Sequence, residues 1–292
     1  MSASVTEVFR SLHRSACEER ALVLTARGIS CATVMREGYF LLEIDVTDLT
    51  AALTELRHYA FESRPAPPPP PSRIYEYAWV GCVAYVAILL GIAHMIDSGS
   101  WRLDAFDAGE LDAARIQSGQ WWRAWTALTL HVDPAHIAAN LGAGVWFGYL
   151  AARQLGSGRA WFFIVNGAAF ANWLEGELAP ATHRAVGAST AVFTALGMLA
   201  AHSWRTRYHL PQRWALRWGP LVAGVVLLGW LGSAGESTDL VAHAMGFTMG
   251  IIIGALAALP QVERNLDRVP EWFAGVAAVA AVVVAWACAL GS

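Results

Sequence analysis

From Tyr77 onward the chain alternates between long apolar blocks and short polar breaks. A crossing helix needs roughly 20 apolar residues, since about 1.5 Å of rise per residue must cover about 30 Å of hydrocarbon. Seven stretches meet or approach that length: 77–96, 134–153, 160–175, 186–204, 218–235, 239–259 and 270–291, the third and fifth being the shortest. Between the first two, residues 97–130 mix acidic residues with the Trp-rich patch "GQWWRAW", too patterned for a plain linker.

Ahead of Tyr77 the periodicity changes. "TEVFRSLHRSACEERALV" predicts a helix, "CATVMREG" and "YFLLEID" predict two strands turning at Glu37-Gly38, and "DVTDLTAALTELRHYAFES" predicts a helix capped by Asp45 or Thr47. Residues 1–63 therefore read as a small soluble α+β domain, near the lower size limit for an independent core. The run "RPAPPPPPSR" within 64–76 is a stiff polyproline spacer. Residues 77–260 form the main membrane domain, and 261–292 add a C-terminal span. The fold class expected is an all-α polytopic membrane protein preceded by the α+β unit.

Composition agrees with a lipid setting. The 292 residues are 56% hydrophobic and 15% charged, against about 45–50% and about 25% for soluble globular chains. A net charge of −3 with no basic block excludes a nucleic-acid footprint. Cys17, Cys31, Cys82 and Cys288 are scattered, so neither a disulfide framework nor a zinc motif is indicated; no metal and no cofactor are expected. The first twenty residues lack an apolar stretch, so no cleaved signal peptide is expected and the spans themselves must direct insertion.

Arginine distribution sets the expected orientation. Arg153 and Arg159 flank the break after the second span, and Arg205, Arg207, Arg213 and Arg217 crowd the one after the fourth. The breaks after the third and fifth spans carry Glu175, Glu177, Arg184, Glu236 and Asp239 instead. The N-terminal domain is thus expected in the cytoplasm and the C-terminus outside, in a plasma (inner) membrane.

With that orientation, spans two, four and six all enter from outside, and each carries unusual polar residues near its start. His136 and Asn140 share one face of the second span at i, i+4; Ser189 opens the fourth; His243 lies about one turn into the sixth. Intramembrane histidine is costly unless it faces water or the bundle interior. Small residues that allow close helix approach accompany them: Gly187 beside Ser189, and Gly246 with Gly250 after His243. Taken singly, a serine beside glycine is packing filler more often than a nucleophile, and GxxxG says only that helices touch. In register at one depth, the set supplies a hydroxyl nucleophile, an imidazole base and oxyanion donors. His94, His131, His183 and His202 lack such company and read as interfacial or structural.

The segments "GQWWRAWTALTLHVDPAHIAANL", "GASTAVFTALG" and "AHAMGFTMG" resemble, in order, motifs of the rhomboid family of intramembrane serine proteases. They match its Trp-Arg loop and HxxxN helix, its nucleophile motif, and its AHxxG helix. The resemblance covers about residues 77–260. It implies a six-helix bundle with a water-filled cavity open to the outside, a Ser-His dyad, and cleavage of transmembrane protein substrates near the outer end of their helix. On it, Ser189 matches the nucleophile and His243 the base. His136, Asn140 and the Ser189 N–H match the oxyanion site, and Trp122 and Arg123 the loop motif. One position departs: Thr190 stands where the family usually has glycine, which bears on the cavity's width and hydrogen bonding. The final span and residues 1–63 lie outside the resemblance. Rival classes are a non-proteolytic rhomboid-like protein that binds membrane clients, and a transporter. The latter is weakened by a cluster off the midplane and no inverted repeat. No HExxH and no membrane-embedded aspartate pair point to another intramembrane protease. The N-terminal domain is left with three roles: docking a cytoplasmic partner, tuning the gate, or neither.

Overall fold

The computed structural model describes residues 4–63, 74–99, 104–208, 214–232 and 239–291. The polyproline run, Arg213 and Glu236 lie outside these residues. The chain divides into two compact units, Met1–Pro69 and Pro70–Ser292.

The first unit contains β1 (Val5–Ser11), α1 (Arg14–Ala26), β2 (Cys31–Arg36), β3 (Tyr39–Asp45) and α2 (Leu49–Glu62). The strands form one antiparallel sheet in the order β1-β3-β2. Glu37 and Gly38 turn β2 into β3 with positive φ at both positions, the backbone a tight two-residue hairpin requires. Leu24, Ile29, Leu42, Ile44 and Ala52 make a small core between sheet and helices. The single helix expected across residues 6–23 is corrected: its first third is β1, with Val5–Asp45 to Ser11–Phe40 paired against β3 and an irregularity between Glu7 and Phe9. The cause is tertiary. Central β3 has a second edge to satisfy, and the V-x-x-V-F spacing fits a bulged strand as well as a helix.

In the second unit the longer helices are α3 (Trp79–Asp97), α7 (Pro134–Leu155), α8 (Ser157–Leu178), α9 (Ser189–Arg207), α10 (Trp214–Gly232), α11 (Leu240–Ala257) and α13 (Glu271–Gly291). Shorter pieces are α4 (Ala105–Gly109), β4 (Leu111–Asp112), α5 (Ala113–Gln117), α6 (Arg123–Thr126), β5 (Arg184–Ala185) and α12 (Pro260–Leu266). Among the described residues, each of the seven stretches expected as spans holds one long helix, although 233–235 of the fifth lie outside these residues. Among the described residues, α3, α11 and α13 are long and apolar enough on their own to cross a membrane, and Trp214–Trp230 is a shorter apolar stretch. The α7, α8 and α9 sequences are diluted by Gly, Asn, His and Arg, because much of their surface faces other helices rather than lipid. Exposed apolar side chains decorate the outer helices: Trp79, Val83 and Leu90 on α3, Val222, Val225 and Trp230 on α10, Val276 and Val283 on α13. Such continuous apolar surface suits lipid contact and would be a liability in water. The protein is a membrane protein.

The closest helix pair is α9 with α11. A methyl group added at Gly250 would collide with the Thr194 carbonyl, one at Gly254 with the Met198 carbonyl, and one at Gly197 with the Phe247 carbonyl. Glycines on both helices thus bring backbone onto backbone, which lipid-embedded helices use in place of a hydrophobic driving force. α13 packs along α8 and reaches α6 and the turn after it, where Trp286 Nε1 donates to Thr129 Oγ1 at 3.1 Å.

Residues 104–130 are a folded scaffold. Arg123, 2% exposed, donates to the Gln120 side chain (2.7 Å) and to the carbonyls of Glu110 (2.9 Å) and Asp107 (2.7 Å). Thr126 Oγ1 bonds the Gly109 carbonyl at 2.6 Å, and Asn172 of α8 reaches the Ala124 carbonyl at 3.1 Å. Trp122 packs beside the Trp286 cluster. Arg123 and Trp122 therefore shape a loop rather than meet a reacting group.

Candidate active site

Three helices start around one cavity. In α7, Asp133 caps the first turn by accepting from the His136 N–H at 2.7 Å, and Pro134 occupies the first helical turn with its φ already set. That fixes His136 near the helix start and, one turn on, Asn140. In α11, Asp239 caps by accepting from Val241 (3.1 Å) and Ala242 (3.0 Å), and its carbonyl accepts the His243 N–H at 3.2 Å. In α9, Ser189 is the first helical residue, so its N–H has no carbonyl four residues back to bond.

The segment leading to Ser189 is held by the 104–130 scaffold. β4 pairs with β5 through Leu111–Ala185 and Asp112–Arg184, Gly187 N–H donates to the Ala127 carbonyl at 2.9 Å, and Ala188 N–H reaches His131 Nε2 at 3.4 Å. Burial, with a smaller push from His136 beside it, drives His131 down to about 4. It is neutral at ordinary pH, and the bare ring nitrogen can accept that bond. Gly187 is required twice: its φ is +133°, and a Cβ there would lie 2.8 Å from His136 Cε1 and Nε2.

His136, Asn140, Ser189 and His243 all line one cavity of about 1260 Å³, together with Phe193, Glu175, His183 and Asp239. His243 is buried and stands against Phe193, ring centroids 4.4 Å apart. His136 stands edge-on to His131 at 5.0 Å. Asn140 is 6% exposed; its backbone carbonyl accepts from Tyr85 Oη at 2.9 Å, but its side-chain Nδ2 has no hydrogen-bond partner. A buried amide donor left open beside a cavity is costly in a structural role and useful in a binding one.

Gly246 meets the segment after Ser189 from behind: a Cβ there would lie 2.6 Å from the Thr190 carbonyl and 3.0 Å from Thr190 Cγ2. The Thr190 side chain, 3% exposed, thus points its methyl into the α9–α11 seam, in the notch left by Gly246. The residue that departs from the family pattern fills a gap between helices and is not among the cavity's lining residues.

Sequence reasoning passed over three residues. From sequence, Glu175 and Asp239 count only as charges for orientation, and His183 reads as interfacial or structural. In space His183 Nε2 lies 3.4 Å from Glu175 Oε1 and 3.2 Å from Asp239 Oδ2. No spacing rule could find them, since they come from a helix end, a loop and a helix cap.

Two comparisons bear on the cavity. A model of the rhomboid domain matches residues 118–260. The chain is also similar to Rhomboid protease GluP of Bacillus subtilis (strain 168), 29% identical over 175 residues that make up 60% of this chain and 34% of that protein. The chain therefore spans about a third of the length of that relative. The matched domain contains Trp122, Arg123, His136, Asn140, Ser189, His243, Gly246 and Gly250; α13 and the first unit lie outside it.

Proposed function

We propose that this chain, which belongs to the rhomboid family, is an intramembrane serine protease that cuts in or beside the transmembrane segments of membrane-protein substrates. The observation that carries this reading is the shared cavity: a hydroxyl, two imidazoles and an amide with an unused donor, delivered by the first two turns of three different helices.

His243 takes the proton from Ser189 as Oγ attacks a peptide carbonyl. The carbonyl oxygen becomes an anion and receives hydrogen bonds from Asn140 Nδ2, His136 and the Ser189 backbone N–H, donors already in place before charge develops. The C–N bond then breaks, and the amine leaves with the proton held by His243. Water in the cavity then attacks the acyl-enzyme, giving its proton to His243, which returns it to Ser189 Oγ as the ester C–O bond breaks and the acid product leaves. The close α9–α11 seam serves this chemistry because it fixes the helix of the hydroxyl against the helix of the imidazole.

α3, α7, α8, α9, α10 and α11 make up the six-helix bundle in this reading and α13 the added span. The first unit lies in the cytoplasm, and the cavity opens towards the outside of a plasma (inner) membrane. The arginines at the far ends of α7 and α9 support that orientation. The first unit, outside the matched domain, is free to dock a cytoplasmic partner.

The test is incubation of wild type and Ser189→Ala with a panel of single-span substrates, with cut positions read by mass spectrometry. Cleavage by wild type alone, with a serine-directed fluorophosphonate labelling Ser189, is the expected result. Equal cleavage by Ser189→Ala overturns the mechanism. Intact wild type that neither cuts nor labels favours the client-binding alternative.

A further inference from the structure

We propose that Glu175, His183 and Asp239, which line the same cavity, form a binding site for a divalent transition-metal cation of the zinc class. Their ligand atoms all lie within 4.8 Å of one another. Two edges of the triangle, His183 to Glu175 at 3.4 Å and His183 to Asp239 at 3.2 Å, have the size a tetrahedral shell demands. Metal–ligand bonds of about 2.0–2.2 Å at the tetrahedral angle set neighbouring ligand atoms about 3.4 Å apart. Three protein ligands leave a fourth position for water.

An independent observation points to a ligand. Glu175 is 2% exposed, and neither of its carboxylate oxygens has a hydrogen-bond partner; His183 Nε2 has none of acceptable geometry either. An imidazole nitrogen carries at most one hydrogen, so it could serve only one of the two carboxylates it faces. The neighbouring donors are committed elsewhere. Arg184 turns away to Asp112 (2.5 Å) and Glu110 (3.2 Å), and the Gln117 amide bonds the Gly176 (2.9 Å) and Ala179 (3.0 Å) carbonyls. Asp239 keeps Oδ1 on the first N–H groups of α11, which leaves Oδ2 aimed at His183. A cation at the centre satisfies all three groups at once. One nitrogen with two carboxylate oxygens suits zinc and its first-row neighbours better than calcium or magnesium, which prefer oxygen alone.

The three ligands come from the end of α8, the loop before β5, and the cap of α11. Asp239 lies one turn before His243, and His183 lies on the segment that leads to Ser189. A bound metal therefore clasps the two chain segments that deliver the proposed nucleophile and base. Binding itself does not depend on the proteolytic reading.

The experiment uses the full chain in detergent, stripped with a chelator, exposed to a slight excess of Zn²⁺, desalted, and assayed for zinc by mass spectrometry. About one zinc per chain is expected in wild type and in Ser189→Ala, and more than about nine-tenths of it is lost in Glu175→Gln and His183→Ala. Zn²⁺ should raise the unfolding temperature of wild type and leave both ligand variants unmoved. Zinc-free unfolding temperatures check that the variants are folded. A wild type that retains no zinc overturns the proposal and leaves the two carboxylates sharing a proton. Equal zinc in wild type and both ligand variants, or loss only in His136→Ala, overturns it as well. Failure of substrate cleavage together with normal zinc retention counts against the protease reading alone.

Discussion

The two ends of α8 both hold buried charge, and they treat it in opposite ways. At the start, Arg159 is 8% exposed and fully engaged: it donates to Glu271 through Nε, to Asp267 at 3.1 Å and to Tyr75 Oη at 3.2 Å, while Glu271 also accepts the Gly158 N–H at 2.8 Å. At the other end, Glu175 keeps both oxygens without a hydrogen-bond donor, and across the same cavity the Asn140 amide is open. A closed network is a fastener, here holding α13 and the segment before α3 to the bundle. An open one costs stability and persists where something must bind or react. The first end should therefore answer to tests of stability and the second to tests of chemistry.

The largest expected effect is at the open end. Replacing Ser189 or His243 by alanine should lower cleavage by at least about 10³–10⁴-fold, and the double variant should be hardly worse than either single one, because a nucleophile and its base act as a unit. The measurement is initial cleavage rate per folded molecule. Additive losses would dissolve the pairing.

Asn140→Ala comes next. A missing oxyanion donor costs about 10²–10³-fold in turnover, while the unfolding temperature should stay near wild type, since the side-chain amide satisfies nothing in the resting fold and the Tyr85 bond goes to the Asn140 backbone. A large fall in stability with an unchanged rate would move Asn140 to the fastener class and erase the contrast. At the closed end the signs reverse. Arg159→Ala should cost about 1–3 kcal/mol of stability, less than a deeply buried pair because Glu271 and Asp267 are each about one-third exposed. Cleavage per folded molecule should not change.

This contrast was only half legible in the sequence. Ser189, His243, His136 and Asn140 could be singled out because they sit near the starts of three helices, the last two sharing α7, and helical periodicity turns that position into depth. The GxxxG at Gly246 and Gly250 marked α11 as a helix of close approach, and the structure supplies α9 as its partner. Glu175, His183 and Asp239 were invisible: the first two are joined by a loop whose path depends on β4–β5 pairing, and the third comes from far along the chain. Arg159 served only as a loop charge, because its partners, Asp267 just after α12 and Glu271 at the start of α13, lie far along the chain rather than on its own helix. The first strand was misread as helix because a seven-residue stretch of mixed polarity carries too few periods to separate the two.

The smallest expected effect concerns Thr190, and it bears on whether the seam or the cavity sets local sequence. Its methyl occupies the notch at Gly246, and its carbonyl accepts from Thr194 Oγ1 at 2.8 Å. Thr190→Gly restores the residue usual in the family but removes that packing and frees the backbone in the first helical turn. Each change costs on the order of 1 kcal/mol or less. A drop of about 1–2 kcal/mol in stability is therefore expected, with cleavage within about threefold of wild type, since the side chain faces away from the reacting groups. The complementary substitution, Gly246→Ala, should do more damage, because the Thr190 carbonyl behind it is backbone and cannot swing aside. Should Thr190→Gly speed cleavage tenfold while leaving the unfolding temperature alone, the threonine would be a constriction of the cavity, and the seam would lose its claim on position 190.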